Sequence, residues 1–220
     1  MPEPTLGYPV LLHLQDKQVA VIGGGRVATR KVQHLLGSGA RVLVISPSVS
    51  TELLALADEG RIELILSEYR RDMLNEYMPF LVIATTDDDA VNQIVAQDAH
   101  RIRALTNVAN GSSDDSDFSN MALIDRSPLV IALSSNGASP AMLRGLKKQL
   151  EQVIGDEYAI LGGWLGELRE PLKSQLDSQM ARRALYRRIL DSDVLPLLRQ
   201  DQPESARRVF DEIISRDLAL

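Results

Sequence analysis

The sequence predicts an α/β chain built on a doubly wound parallel sheet, followed by a small α+β segment and a helical C-terminal region. Three observations carry that expectation. Strand-length stretches at 19–22, 41–45, 62–66, 80–84 and 104–108, most of them largely apolar, alternate with stretches of helical periodicity, the pattern that builds a parallel sheet through right-handed crossovers. The first run passes directly into Gly23, Gly24 and Gly25 and then into a helix-period stretch. From Glu157 onward strand signals stop and the pattern is helical.

The stretch 17–31 organises the first half. Residues 19–22 are long enough for one buried strand, and Val27, Ala28, Val32, Leu35 and Leu36 recur at helical spacing up to Gly37. Between them, Gly23-x-Gly25-x-x-Ala28 is the dinucleotide fingerprint with alanine at its third position. Gly23 permits the tight turn. Gly25 lacks a side chain, so a pyrophosphate can approach the backbone, and Ala28 lets the helix pack closely on the strand. The free N–H groups at the helix start then face the phosphates. Residues 41–45 form the second strand, and Ser46, Pro47 and Ser48 at its end should meet the adenosine ribose. The usual acidic ribose ligand is missing there. NAD and NADP both stay open on these residues, with Arg26 and Arg41 either near a 2′-phosphate or plain surface arginines.

A helix over 51–58 buries Leu53, Leu54, Leu56 and Ala57. Strands at 62–66 and 80–84 are apolar enough to be covered on both faces. Thr85 and Thr86 follow at the ligand edge, where they can touch a cofactor, and Asp87 or Asp88 caps a helix over 90–100. The fifth strand, 104–108, ends at the same edge.

The polar, turn-rich stretch from Asn110 to Asp117 marks a boundary. With the switch to helical periodicity near Glu157, it divides the chain into 1–113, 114–154 and 155–220. Residues 121–124 and 129–133 read as a strand pair. Ser139 is a good N-cap and Pro140 suits the first helical position. The helix that follows carries Met142, Leu143, Leu146, Leu150 and Val153 on one face. Pro171 is expected to open a long helix through Leu190, and Trp164 marks a helix-packing site. Arg182, Arg183, Arg187 and Arg188 form either a solvated helix face or a patch for carboxylates.

Composition narrows the function classes. The net charge of −6 argues against a general nucleic-acid binder. The absence of cysteine removes disulfides, thiolate nucleophiles and Cys-based metal sites, and no histidines sit at ligand spacing, so no metal ligands are assigned. No apolar run approaches the ~20 residues that span a bilayer, and no signal segment is visible, so the expectation is a cytoplasmic chain without membrane partners.

Beyond the fingerprint, a series of motifs appears in order: Val19-Ala-Val-Ile-Gly-Gly-Gly-Arg-Val-Ala-Thr-Arg-Lys31, Ala84-Thr-Thr-Asp87, Asn107-Val108, Ile124-Asp-Arg-Ser-Pro-Leu129 and Ser134-Ser-Asn-Gly-Ala-Ser-Pro140. From about Tyr8 to Ile154 the chain thereby resembles precorrin-2 dehydrogenase, the N-terminal part of siroheme synthase. The resemblance implies a Rossmann-like NAD-binding domain, a dimerisation and active-site segment that crosses between subunits of a homodimer, and a helical domain. It implies NAD-dependent oxidation of precorrin-2 to sirohydrochlorin and, in some members, insertion of ferrous iron to give siroheme. The chain stops where the fused enzymes begin their methyltransferase, so that activity is not expected.

Carried over by position, the cofactor contacts are Gly23, Gly24, Gly25, Arg26, Val27, Pro47 and Ser48. The family loop Ser-Ser-Gly-Gly-x-Ser-Pro lines the tetrapyrrole site; here Asn136 replaces its first glycine, and Ser135 is the catalytic candidate within it. The family's Asn-Val-Val-Asp reads Asn107-Val108-Ala109-Asn110, so Asn110 stands where a functional aspartate is usual. An amide cannot act as a general base, although it can hydrogen-bond and orient. Asp114, Asp115 or Asp117 supplies a carboxylate if the loop folds back; otherwise they form a solvated loop. Two other classes compete with the dehydrogenase: a non-catalytic tetrapyrrole- or NAD-binding scaffold or sensor, which Asn110 favours, and an unrelated NAD(P)-dependent reductase, which suffers from the lack of a Tyr-x-x-x-Lys pair.

Overall fold

The computed structural model describes residues 7–109, 115–176 and 178–218, which fall into two compact units, Gly7–Asn120 and Met121–Leu220. Among the described residues, five parallel strands form the sheet of the first unit: β1 (Gln18–Ile22), β2 (Arg41–Ile45), β3 (Glu63–Ile65), β4 (Leu81–Ala84) and β5 (Leu105–Val108), in the order β3-β2-β1-β4-β5. The register sets Ile22 beside Ile45 and Ala84, and Ala84 beside Val108. Four strands therefore end level. The chain leaves β1 toward β2 on one side and returns at β4 on the other, which makes the β1–β4 boundary a topological switch point.

Strand periodicity sends alternate residues to opposite layers. Val19, Val21, Val42 and Val44 pack with α1 (Arg26–Gly37) and α2 (Thr51–Asp58). Ala20, Ile22, Leu43 and Ile45 pack with α3 (Leu74–Tyr77) and α4 (Asp89–Arg101). Double coverage is why the central strands read as unbroken apolar runs. Two expectations fail at the margin. β3 has only three residues and is exposed or half-buried along its length, because it is the sheet edge. Leu54 is exposed while Leu53 is fully buried. The short α3 had no periodic signal; Met78 ends it in the left-handed region at φ 43°.

Asp88 accepts hydrogen bonds from the Ala90 and Val91 N–H groups and caps α4. Asp88→Ala is expected to lower unfolding stability by about 1 kcal/mol in urea titration.

In the second unit, β6 (Ala122–Arg126) and β7 (Leu129–Leu133) form an antiparallel hairpin with a cis Ser127–Pro128 bond at its turn. Ser139 caps α5 (Pro140–Val153) by accepting from the Met142 N–H. No residue of α5 is buried, so Met142, Leu146 and Val153 stand open in the single chain. The helices α6 (Glu157–Gln175), α7 (Gln179–Leu190), α8 (Val194–Arg199) and α9 (Pro203–Leu218) share a core of Leu161, Leu172, Leu185, Ile189 and Phe210. Trp164 meets Phe210 at 5.2 Å between ring centres, and the Arg207 guanidinium lies over both rings. Pro171 lies inside α6 instead of opening a helix. Burial of Leu161 and Leu172 on either side holds that turn against proline's own preference, and Ser178 supplies the next start by accepting from the Ala181 N–H. Among the described residues no helix is long and apolar enough to cross a membrane.

Candidate functional site

The three glycines at the end of β1 have three different reasons to be glycine. Gly23 adopts φ 121°, and a Cβ there would meet Thr85 Oγ1 at 2.7 Å and the Thr85 carbonyl oxygen at 2.8 Å. A Cβ on Gly24 would lie 2.1 Å from the Ser48 carbonyl oxygen; the loop after β2 presses on this residue, and the Ser50 N–H donates to the Gly24 carbonyl at 2.9 Å. Around a Cβ on Gly25 there is nothing within 4 Å. The turn and the open approach are those expected at Gly23 and Gly25. The crowding at Gly24 was invisible in the sequence, because Gly24 occupies the unrestricted place of the fingerprint.

Gly25 is the N-cap of α1, without a side-chain cap and with no acid in the first turn. The N–H groups of that turn have no intrahelical partner by helix geometry. The helix dipole and Arg26 add positive potential, and the open side of Gly25 gives a dianionic group access to the backbone. The residues fit a dinucleotide diphosphate. Ala28 is fully buried on the strand side. Thr29 Oγ1 donates to the Gly25 carbonyl at 3.1 Å and lies 2.9 Å from Ser50 Oγ, which in turn caps α2. This ties the glycine turn to the loop after β2.

Pro47 and Ser48 stand exposed on that rim, and buried Ser46 donates to the Ser48 carbonyl at 2.7 Å. Alongside runs a surface depression of about 290 Å³ lined by Arg26, Thr29, Arg30, Gln33, Ser50 and Glu52. Glu52 is the carboxylate in this lining. Hydrogen bonds from its own backbone N–H and then Ser50 hold it below the usual glutamate range. Sequence reasoning missed it because it sought an acid at the end of β2, not in the first turn of the next helix.

Across the switch point, Thr85 donates its N–H and hydroxyl to the Ile22 carbonyl, at 2.8 and 3.0 Å. The Thr86 hydroxyl lies 2.8 Å from Asn92 Oδ1, and Asn92 Nδ2 donates to the Thr86 carbonyl at 2.9 Å. The Thr85 hydroxyl is thereby engaged within the fold, and the Thr86 hydroxyl also accepts from the Asp88 N–H at 3.3 Å.

The segment after β5 returns along the sheet edge. The Thr106 N–H donates to Asp117 Oδ2 at 2.9 Å, the Asp117 N–H donates to the Thr106 carbonyl at 2.8 Å, and the Val108 N–H donates to Ser116 Oγ at 2.9 Å. His100 Nε2 lies 3.5 Å from the same Asp117 carboxylate. Asp117 thus folds back, but onto the β5 backbone, where it covers an edge strand. Asn107, almost fully buried, accepts at Oδ1 from Lys31 Nζ and from Asn120 Nδ2, each at 3.0 Å, and donates from Nδ2 to the Phe118 carbonyl at 2.9 Å. Asn110 and Asp114 lie outside the described residues.

Ser135 belongs to the second unit, on the loop between β7 and α5. Its Oγ accepts from the Ser139 N–H at 3.1 Å, and Ser134 Oγ accepts from the Asn136 N–H at 3.1 Å. Asn136 has φ 49° and Gly137 φ 83°. Asparagine is among the few residues that enter the left-handed region readily, which is why it can stand in place of a glycine. Of the α7 arginines, Arg183, Arg187 and Arg188 are exposed, while Arg182 is half-buried and donates to the Leu176 carbonyl; Arg187 pairs with Asp191 at 3.7 Å.

Known proteins share both units. Residues 10–122 match the family described as "Putative NAD(P)-binding", and residues 157–214 match the sirohaem synthase dimerisation region. Siroheme synthase 3 of Aeromonas hydrophila subsp. hydrophila is 35% identical over 208 residues, which cover 94% of this chain and 44% of that protein. Siroheme synthase of Methylococcus capsulatus is 37% identical over 202 residues, 92% of this chain and 42% of that protein. The chain thus spans less than half the length of these relatives. The solved structure of SirC, precorrin-2 dehydrogenase, superposes with a TM-score of 0.76 at 26% identity and covers 94% of this chain and 100% of its own. With residues 10–122 matched to the one model and 157–214 to the other, the protein belongs to the NAD(P)-binding family that carries a sirohaem synthase dimerisation region.

Proposed function

We propose that this protein is an NAD-dependent dehydrogenase that oxidises precorrin-2 to sirohydrochlorin, working as a cytoplasmic homodimer in siroheme formation. The observation that carries the reading is the open, positively polarised α1 N-terminus at Gly25, set at the switch point of the sheet. The likeness to SirC supplies the substrate class. NAD, when bound, supplies the hydride acceptor.

The chain's part is to hold and align. The first-turn N–H groups and Arg26 bind the diphosphate. Pro47 and Ser48 bound the ribose end, Val27 lies on the exposed helix start, and Thr85 and Thr86 line the cofactor's path at the neighbouring strand end. In the reaction, a C–H bond of the macrocycle breaks, its electron pair leaves as hydride, a proton leaves, and a new double bond extends the conjugation. Asn110 cannot take that proton as a base, so the proton passes to water while the amide orients the ring. Ser135 and its loop contact the tetrapyrrole. The uncovered apolar residues of α5 pack against a second copy; of the three divisions, 1–113 holds the cofactor, 114–154 supplies the active-site loop and part of the dimer seam, and the helical 155–220, which contains the match to the sirohaem synthase dimerisation region, adds to that seam. Insertion of ferrous iron as a second substrate is the weaker activity, because it requires stripping pyrrole protons without the family's carboxylate.

A non-catalytic tetrapyrrole or NAD binder of the same fold is the second reading, favoured by Asn110. Anaerobic incubation of the native protein with NAD and precorrin-2, followed at the reduced-nicotinamide absorbance beside Asn110→Asp, separates the two. Turnover by the native chain is expected. Turnover by Asn110→Asp alone would instead make the native protein a binder.

A further inference from the structure

We propose that Lys31 is a positioning residue: through Asn107 it ties the helix that opens at the glycine turn to the rim of β5, and so fixes the two sides of the ligand edge relative to each other. The inference rests on the dehydrogenase reading above for its catalytic consequence, and on the geometry alone for the tie.

α1 packs over β1 and β2, whereas β5 lies two strands from β1 in the other direction. Strands are spaced about 4.8 Å apart, so a link from above β1 to β5 must cover about 10 Å. Among the polar side chains, lysine and arginine have the length for it. Lys31 Nζ makes the link, 3.0 Å from Asn107 Oδ1 and 76 positions away in sequence. Asn107 is one residue short of the end of β5, level with Ile83 of β4. It also holds the returning segment at both Phe118 and Asn120. Lys31 therefore grips the place where β5 and its return are stitched together.

The grip is costly, which argues that it is used. Burial and then the nearby Arg30 charge pull the Lys31 ammonium below the usual lysine range. Among the described residues no carboxylate lies within ion-pair distance of it. A desolvated cation satisfied by a neutral amide gives up more hydration than an apolar residue would. The arrangement makes sense where the position of the β5 rim matters more than the stability lost.

Lys31→Met keeps the stem and removes the bond, and Lys31→Arg keeps a long donor. Hydrogen exchange of peptides covering 105–109 and 116–120 reads the tie directly, without any turnover. Exchange in Lys31→Met is expected to quicken at least ~5-fold, with Lys31→Arg close to native. NAD affinity, measured by calorimetry, is expected to stay within about twofold because the cradle is untouched, while kcat for precorrin-2 falls about tenfold or more with KM little changed. Arg should recover most of that kcat. If Lys31→Met does not fold, Asn120→Ala loosens the same stitch from its other side and should quicken exchange over the same peptides. Unchanged exchange in the folded variants, or an equal loss of kcat in Met and Arg, overturns the proposal. Absence of precorrin-2 turnover in the native protein overturns the dehydrogenase reading instead, and the exchange result still decides the tie.

Discussion

Gly25→Ala is expected to leave the free protein as stable as the native chain and to weaken dinucleotide binding at least tenfold. Gly25 sits at φ −82° and ψ −172°, ordinary extended backbone for any L residue, and its Cβ would enter open space. Losing glycine's unfolded-state freedom there is worth about 0.4–1 kcal/mol, and the poorer N-cap that alanine makes for α1 offsets it. The added methyl nevertheless stands on the path by which the proposed pyrophosphate reaches the helix N–H groups. Gly24→Ala should do the opposite to the free protein. Its Cβ would meet a backbone oxygen at 2.1 Å, a clash no rotamer relieves, and a shift of the loop after β2 costs about 3 kcal/mol. Urea unfolding without ligand, beside NAD calorimetry, checks both. A Gly25→Ala protein that binds NAD normally would remove the cradle from the site.

The second large effect lies on the other side of the sheet. Asp98 is 2% exposed in α4 and accepts from the Tyr69 hydroxyl and the Asp72 N–H, each at 2.8 Å, and from Arg101. It fastens the chain between β3 and α3 to α4. Asp98→Ala leaves a phenol and a backbone N–H short of an acceptor, at a cost of about 3 kcal/mol. Arg101 is half exposed, so water recovers its share. Tyr69→Phe removes one bond and should cost about 1 kcal/mol. Burial, and then the bond to Asp98, push the Tyr69 phenol well above the usual tyrosine range. A raised folded value means the folded state keeps the proton longer. The associated stability is therefore complete below about pH 10, where unfolded tyrosine titrates, and is lost as pH climbs beyond it. Tyr69→Phe should lose that alkaline dependence in pH-resolved urea titrations.

What the sequence disclosed follows from what periodicity encodes. β1, β2 and β4 were legible because strands covered on both faces read as near-continuous apolar runs, and β5 because Ala104, Leu105 and Val108 bracket a strand-length stretch between two helix-period segments. The hairpin and the start of α5 were legible because Ser139 and Pro140 are local signals with local causes. β3 shrank because an edge strand is half solvated, and its apolar run extended beyond the ladder. Pro171 misled because burial of Leu172 is a tertiary effect that outweighs a single residue's preference.

At the site, Gly23, Gly25 and Ala28 carry roles that spacing can express. Gly24 and Lys31 carry roles set by contacts with Ser48 and Asn107, and no local pattern announces a partner 24 or 76 positions away. Asp117 shows the same limit: a polar loop predicted a boundary, but its hydrogen bonds to Thr106 depend on the sheet edge beside it.

The stoichiometry of an anaerobic incubation tests the central claim most directly. Native protein, NAD and precorrin-2 are predicted to yield one reduced nicotinamide for each sirohydrochlorin formed, with both products suppressed together in Gly25→Ala. Sirohydrochlorin formed without reduced nicotinamide, or formed equally well by Gly25→Ala, would contradict a reaction that runs through a dinucleotide held at this glycine turn.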